Sequence, residues 1–588
     1  MRTRVTFSFL LSAALAMGWA NLAFTQTLPA LPNIPDISCA SSTPATSNAT
    51  IRVPRGGNFQ NALNSAKPGD TIILEAGATY TGNFVAPAKT GTGCITIRSS
   101  APDSALPAAG QRTSPSYASL LPKIVSMSGS ALTFGQAAHN YLLMHVEITA
   151  AAYADTLVNM DQPHWSRPDL MAHHLEFDRV YIHGHPTQGA KRGIAFNGRA
   201  MTVKNSHISD IKVNGADSQA VGGWAGGAHF RIINNYLEAS GENIMFGGAQ
   251  PWWNPPNGTP ADIEIRNNHM FKPLSWMVGH PTYQGTPWSV KNLLELKNAK
   301  RVLIYGNVLE NTWPHAQIGY AVLFTVRNQD AAATWSTVED VTFTNNIVRR
   351  AAHGVSIMGY DNNYPSQQTK RILIQNNLFQ DIGTSPFGQG PARMFGIQGG
   401  PRDIVIKNNT VFHNGYITAA GGGPTHGFVF QNNIVNFGQN GLIGDGTTGP
   451  STLTKYFPSG PFDHNVVIAK PATLSYPPNN SYPASLGDVR FVDAANGNYR
   501  LSNSSPYKKA GTDGKDIGVD WDVLAAAPYT KPLPVALSPS TPTPAPGLTK
   551  PILGTLPGTP PGTPNAQPTE NPGLLKHFFG KLRQFFGR

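Results

Sequence analysis

Charge is scarce in this chain. Asp, Glu, Lys and Arg make up only 13% of its 588 residues against 40% hydrophobic ones, which suits a folded, turn-rich protein with few ions on its surface. Cysteine is nearly absent. The two that exist, Cys39 and Cys94, have no metal-ligand spacing and give no support to a catalytic thiol. Long helical periodicity is missing throughout the body, which excludes leucine-rich and helical solenoids. Long apolar runs are missing too. The single apolar stretch, Val5 to Trp19, is too short for a membrane anchor. The net charge of +11 is no mark of nucleic-acid binding either. Residues 1–26 carry +2 and residues 531–588 carry +5, leaving +4 for the rest.

What is present begins with an export signal. Arg2 and Arg4 precede the apolar stretch, and small residues follow near Ala20 to Thr25, so residues 1–25 read as a signal peptide. A secreted or periplasmic protein is expected, and an oxidising compartment would permit a Cys39–Cys94 bridge tying the lead-in, residues 26–50, to an early part of the body. At the other end, residues 526–573 are rich in Pro, Thr, Ala and Gly and read as an extended, disordered linker. Residues 574–588 then place Leu575, Phe578, Phe579, Leu582 and Phe586 on one helical face beside Lys576, Lys581 and Arg583. A contact with a membrane surface or envelope is the expectation for this basic amphipathic helix, which would make the protein surface-associated.

The body, residues 51–525, is organised by a repeat. A short strand running into an Asn pair recurs as IINNYL, IRNNHM, IYGNVL, FTNNIV, IQNNLF, IKNNTV, FQNNIV and FDHNVV. The aligned residues are Asn235, Asn268, Asn307, Asn346, Asn377, Asn409, Asn433 and Asn465, and weaker copies occur at 142–148, 176–182 and 202–208. Each unit alternates apolar residues at period two and then turns at Asn, which tolerates a left-handed backbone. Coils of three short strands fit this pattern. Stacking them would place the Asn side chains in a ladder of mutually bonded amides, a structural role.

The segment PRGGNFQNALNSAKPGDTIILEAGATYTGNF, within 51–99, resembles the opening of pectate-lyase-like β-helix proteins, where a short amphipathic helix caps the first coil. The segment 497–522 resembles the stretch that closes many such solenoids. The resemblance implies an all-β protein, a single right-handed parallel β-helix of about 10–12 coils.

Candidate chemistry lies on two consecutive units. In NLLELKN (292–298) and VLFTVRN (322–328), alignment on the final Asn turns Leu294, Leu296, Phe324 and Val326 inward. Glu295 then stacks on Thr325, and Lys297 on Arg327. A Lys against an Arg is unfavourable unless an anion lies across them, and the repulsion would depress the Lys pKa towards that of a general base. Nearby Lys272, Lys291 and His353, with Asn298 and Asn328 at the strand ends, are candidate substrate contacts. Seven of the ten Trp lie between Trp224 and Trp335. Trp276 and Trp313 are among them, and rings there either stack on sugars or pack loops.

ELKNAKRVLIYGN followed by FTVRNQ is similar to the motif pair of the alginate lyase and chondroitinase B family. The resemblance makes Lys297 the base that removes the proton beside a uronate carboxylate, and Arg327 the group that protonates or supports the departing oxygen. It also implies a calcium ion, for which Glu242, Asn243 and Glu295 are the candidate ligands. β-Helix polygalacturonases read instead as NTD, a DD pair, GHG and RIK, and these are not present in that order. The reading is a polysaccharide lyase, expected to be monomeric, that cleaves an acidic, uronate-containing glycan by β-elimination. The alternative is a non-catalytic β-helix that binds glycan or belongs to a cell-surface structure.

Overall fold

The computed structural model describes residues 27–39, 47–161, 168–249 and 258–526. The expected signal peptide, Trp252 and Trp253, the expected linker beyond Ala526 and the expected C-terminal helix all lie outside the described residues. The described chain forms a parallel β-helix. Three sheets run along it, with 14, 13 and 13 strands, called sheets 1, 2 and 3 in the order the chain meets them. One coil is Ala228–Ile233 in sheet 1, Tyr236–Ala239 in sheet 2 and Glu242–Phe246 in sheet 3. The solenoid runs slightly longer than the repeat alone indicates, because its first coils carry only weak copies of the motif.

Between sheets 1 and 2 the chain bends at the Asn pair. The first member takes the left-handed conformation, as at Asn234 (φ 56°), Asn267 (φ 57°), Asn345 (φ 58°) and Asn408 (φ 54°). The second points into the bend and is buried. Its Nδ2 donates to the Oδ1 of the Asn one coil on, from Asn235 to Asn268 at 2.9 Å, Asn307 to Asn346 at 2.9 Å and Asn409 to Asn433 at 2.9 Å. The ladder runs unbroken to Asn465, which donates to Asn480. Each Oδ1 also accepts the backbone N–H of the preceding coil's Asn, as Asn346 does from Asn307. One side chain thereby satisfies buried groups of two coils.

Inside, the apolar alternation stacks like on like. Phe196, Phe230 and Phe246 lie 5.6 and 5.4 Å apart in succession. The helix Phe59–Ser65 caps the first coil by burying Phe59, Ala62 and Leu63. The closing segment folds back along the outside of sheet 2, where Tyr499, Val519 and Leu524 cover Val308, Ile347, Leu378 and Phe412.

Cys39 and Cys94 are bonded. The lead-in runs back across the outside of sheet 1. The Ala30 and Asn33 amides donate to Asp340 and Asp262, both at 3.0 Å. Those aspartates are also held by Arg371 and Arg301.

Replacing Asn346 by Ala strips hydrogen bonds from two coils at once. The expected cost is about 1–3 kcal/mol, read as a fall in the denaturant midpoint. An unchanged midpoint would contradict the ladder's role.

Candidate active site

Several strands of sheet 3 open with a break in alternation, two consecutive side chains both turning inward. Ala220 and Val221, Leu293 and Leu294, Ala321 and Val322, and Met394 and Phe395 are all fully buried. The residue before each pair therefore points out. Register aligns these into one outward column, with Gln219 against Glu242, Tyr320 against His353 and Arg393 against Tyr416. A second outward column runs through Met245, Glu295, Leu323, Ser356 and Gly396.

At mid-solenoid these columns bring five ionisable side chains together. Lys291 Nζ contacts the Asp217 carboxylate and lies 3.6 Å from Glu242 Oε1. Lys297 Nζ lies 3.6 Å from Glu295 Oε1. The carboxylates are fixed from behind. Gln219 Nε2 donates to Glu242 Oε2 at 2.8 Å, and Asn292 Nδ2 donates to Glu295 Oε2 at 2.9 Å. The side chains of Glu242 and Glu295 are 0% and 2% exposed, whereas those of Lys291 and Lys297 are each 14% exposed. The ammonium groups thus form the solvent side of a buried acidic floor. Gly248 (φ 82°) makes room for this, since a Cβ there would lie 2.5 Å from Lys297 Cδ.

The field of this cluster sets its protonation. Burial alone would lower Lys297, but Glu295, Glu242 and Asp217 outweigh it and hold the ammonium above the usual lysine range. Burial likewise opposes charge on Lys291, and Glu242 and Asp217 raise it. Burial, followed by the Asp217 charge, pushes Glu242 up to about 7.

The expected Lys297–Arg327 pair needs correction. Leu296 pairs with Phe324 and Glu295 with Leu323, so Glu295 does not stack on Thr325, and the alignment that put Lys297 on Arg327 is two residues out. The strand Tyr320–Thr325 runs two residues farther to its Asn than Leu294–Leu296 does, which alignment on the Asn conceals. Arg327 still follows Lys297 on the adjacent coil, its amide donating to the Lys297 carbonyl at 2.8 Å. Its guanidinium, however, contacts Asn362 and lies 3.2 Å from Asp361. With a carboxylate beside each cation, the supposed repulsion disappears. Lys297 is raised, not depressed.

Several candidate contacts prove structural. Lys272 is fully buried and donates to the Ala239, Ser240 and Gly241 carbonyls and to Asn243 Oδ1. Asn243 turns away from the carboxylates because it is the first of two consecutive inward residues, and its Nδ2 donates to the Leu237 and Phe271 carbonyls. Asn298 bonds the Gly258 carbonyl and the Thr337 amide, and Asn328 the Pro365 carbonyl and the Ala333 amide. Both are turn pins. Trp276 and Trp313 are buried with Met277, Trp288, Val290 and Phe387, so they pack loops and offer no platform to a sugar.

The donor set does not fit calcium. Asn243 is unavailable, amides take Oε2 of both glutamates, and an ammonium lies 3.6 Å from each Oε1, which favours a cation-neutralised site without a metal. Among the described residues no three His, Cys, Asp or Glu side chains are arranged to hold a metal ion.

Five residues escaped the sequence reading: Asp217, Gln219, Asn292, Tyr320 and Asp361. The column residues had a signal in the doubled inward pair that follows each of them, as in QAV, NLL, YAV and HGV. Asp217 and Asp361 sit in loops, where no periodicity speaks for them.

No family model matches the chain, and no curated protein does. Among solved structures it is similar to a mannuronic acid specific polysaccharide family 6 lyase from human gut microbiota, at 13% identity and TM-score 0.40, covering 74% of this chain and 90% of that one. Pectate lyase Pel9A gives 14% identity and TM-score 0.35, over 82% of this chain and 98% of that one. The GH87 α-1,3-glucanase of Streptomyces thermodiastaticus strain HF3-3 gives 12% and 0.40, over 78% and 70%. These likenesses concern the solenoid and do not select a reaction.

Trp276→Ala and Trp313→Ala are expected to lower stability by about 3–5 kcal/mol, the cost of emptying a buried aromatic site. Glycan affinity measured below the new melting temperature should stay as it was. A selective loss of affinity with stability intact would return these rings to the binding surface.

Proposed function

We propose that the protein is an exported polysaccharide lyase that cleaves a uronate-containing glycan by β-elimination on the outward face of sheet 3. The observation that carries this reading is the pair of lysines presented over buried carboxylates in the middle of the solenoid. A uronate carboxylate docking there meets two held ammonium groups, whereas a neutral sugar meets nothing that favours it. Removing the proton beside that carboxylate drives negative charge onto its oxygens, which Lys291 then stabilises more than it does the ground state. The electron pair left behind expels the glycosidic oxygen, supported by Arg327, which Asp361 orients. Lys297 is the base in this scheme, once deprotonated. No step runs through a metal ion.

Lys297 as a base has a consequence for pH. Its proton is held above the usual lysine range, so the active amine is a minor form at neutral pH. Its share rises about tenfold per pH unit below the pKa. Elimination, followed by the ultraviolet absorbance of the unsaturated uronate, should therefore climb through the alkaline range. Glu295→Gln removes an anion that raises Lys297, so the profile should move towards neutral pH. A profile that stays in place would remove the base assignment. Lys297→Ala should lower kcat by about 100- to 10,000-fold, and Arg327→Ala by at least about tenfold, with folding intact. EDTA should leave the rate unaltered, and a loss restored by calcium would contradict the lysine-only site.

A second reading has its own support. An ammonium paired with Glu295 and held protonated by the field of Glu242 and Asp217 suits binding better than proton abstraction, and favours a non-catalytic glycan-binding β-helix. Affinity for alginate, pectate or a glycosaminoglycan without unsaturated product at any pH would establish that reading.

A further inference from the structure

Arginines on this solenoid are mostly spoken for. Arg192 holds Asp155, Arg301 holds Asp262, Arg327 holds Asp361 and Arg371 holds Asp340. Arg393 is different. It opens the strand Arg393–Gln398, is exposed, and among the described residues has no carboxylate in ion-pair contact. Its contacts are with two aromatic neighbours of the same outward column. Burial raises the Tyr320 hydroxyl and the Arg393 charge opposes that rise, while the Arg393 amide donates to His353 Nδ1 at 3.1 Å. The rings of Tyr320 and His353 lie 4.9 Å apart.

The local arrangement leaves three hydrogen-bond donors and no acceptor charge. The neutral Tyr320 hydroxyl carries a proton that it can donate to an anion. With its Nδ1 accepting, His353 carries its proton on Nε2. Burial, then Arg393, holds the ring neutral with a pKa down to about 4. The adjoining outward column is small here, with Ser356, Gly396 and Ala419 in register. A Cβ on Gly396 would lie 2.3 Å from the Tyr320 hydroxyl, so the glycine keeps that position open. The result is a cationic notch on the same face as Lys291 and Lys297. The strands Leu294–Leu296, Tyr320–Thr325, His353–Met358 and Arg393–Gln398 follow one another in sheet 3. Arg393 is therefore three strands along, about 14 Å at roughly 4.8 Å per strand.

We propose that Arg393, Tyr320 and His353 form a second carboxylate subsite, and that the substrate is a run of successive uronates lying along the solenoid axis. This rests on sheet 3 being the glycan face. A guanidinium with a neighbouring hydroxyl donor is a strong match for a carboxylate, and it discriminates against chains whose acidic sugars are isolated between neutral ones.

The test compares binding of dimers and hexamers of mannuronate, guluronate and galacturonate by calorimetry, with cellohexaose as the uncharged control. In the wild type a uronate hexamer should bind more tightly than its dimer. In Arg393→Ala that gain should shrink about tenfold, one charge-assisted contact's worth, and Tyr320→Phe should reduce it less. Arg402→Ala, which removes the same charge from sheet 1, should leave the gain in place. An undiminished gain in Arg393→Ala, or an equal loss in Arg402→Ala, overturns the subsite. Hexamer binding that depends on Arg393 without any elimination product would keep the subsite and refute the lyase. Elimination that ignores Arg393 would do the reverse. No uronate binding at all would end both.

Discussion

Everything on the outer face depends on the amide ladder at the first bend. Each buried Asn completes the hydrogen bonding of its own coil and the next, so neighbouring coils cannot slip without orphaning donors on both. That constraint fixes register, and register converts distance along the chain into adjacency. Asp217, Glu242, Lys291, Glu295 and Lys297 are up to 80 positions apart in sequence, yet their side chains meet in one cluster.

The cluster stands out in a chain with so little charge. The buried carboxylates of Glu242 and Glu295 lie beneath two ammonium groups, and the more exposed Asp217 flanks Lys291. Burying the acids would be costly without the lysines, and the lysines keep their protons because of the acids. This mutual dependence ties the electrostatics of binding to those of catalysis. The same field that attracts a uronate resists making Lys297 a base, and the alkaline rate profile follows from that conflict. Arg327 and Asp361 repeat the arrangement one coil on, with a single pair.

Much of the fold was legible in the sequence because it repeats. The Asn pairs name both the left-handed residue and the ladder residue, and the amphipathic helix at Phe59–Ser65 matches its place as a cap. The site was legible only in part. Alternation correctly placed Glu295 and Lys297 outward and Leu294 and Leu296 inward. It failed where strict alternation fails. The doubled inward pair at the start of several sheet 3 strands turned Asn243 inward and put Glu242 and Tyr320 outward. The extra length after Phe324 displaced Arg327 from Lys297. The lysine's pKa was misjudged because the reading weighed one neighbouring cation and could not see the carboxylates of two other coils. Trp276 and Trp313 look alike in sequence whether they pack a loop or meet a sugar, and only burial distinguishes the two.

The central claim is that sheet 3 holds a uronate chain by its carboxylates. A crystal structure of Lys297→Ala with a uronate hexamer addresses it most directly. The account predicts an oligosaccharide running along the axis, with one carboxylate at Lys291 and another at Arg393. An oligosaccharide bound on sheet 1 or sheet 2, or lying across the coils with its carboxylates in solvent, would contradict it.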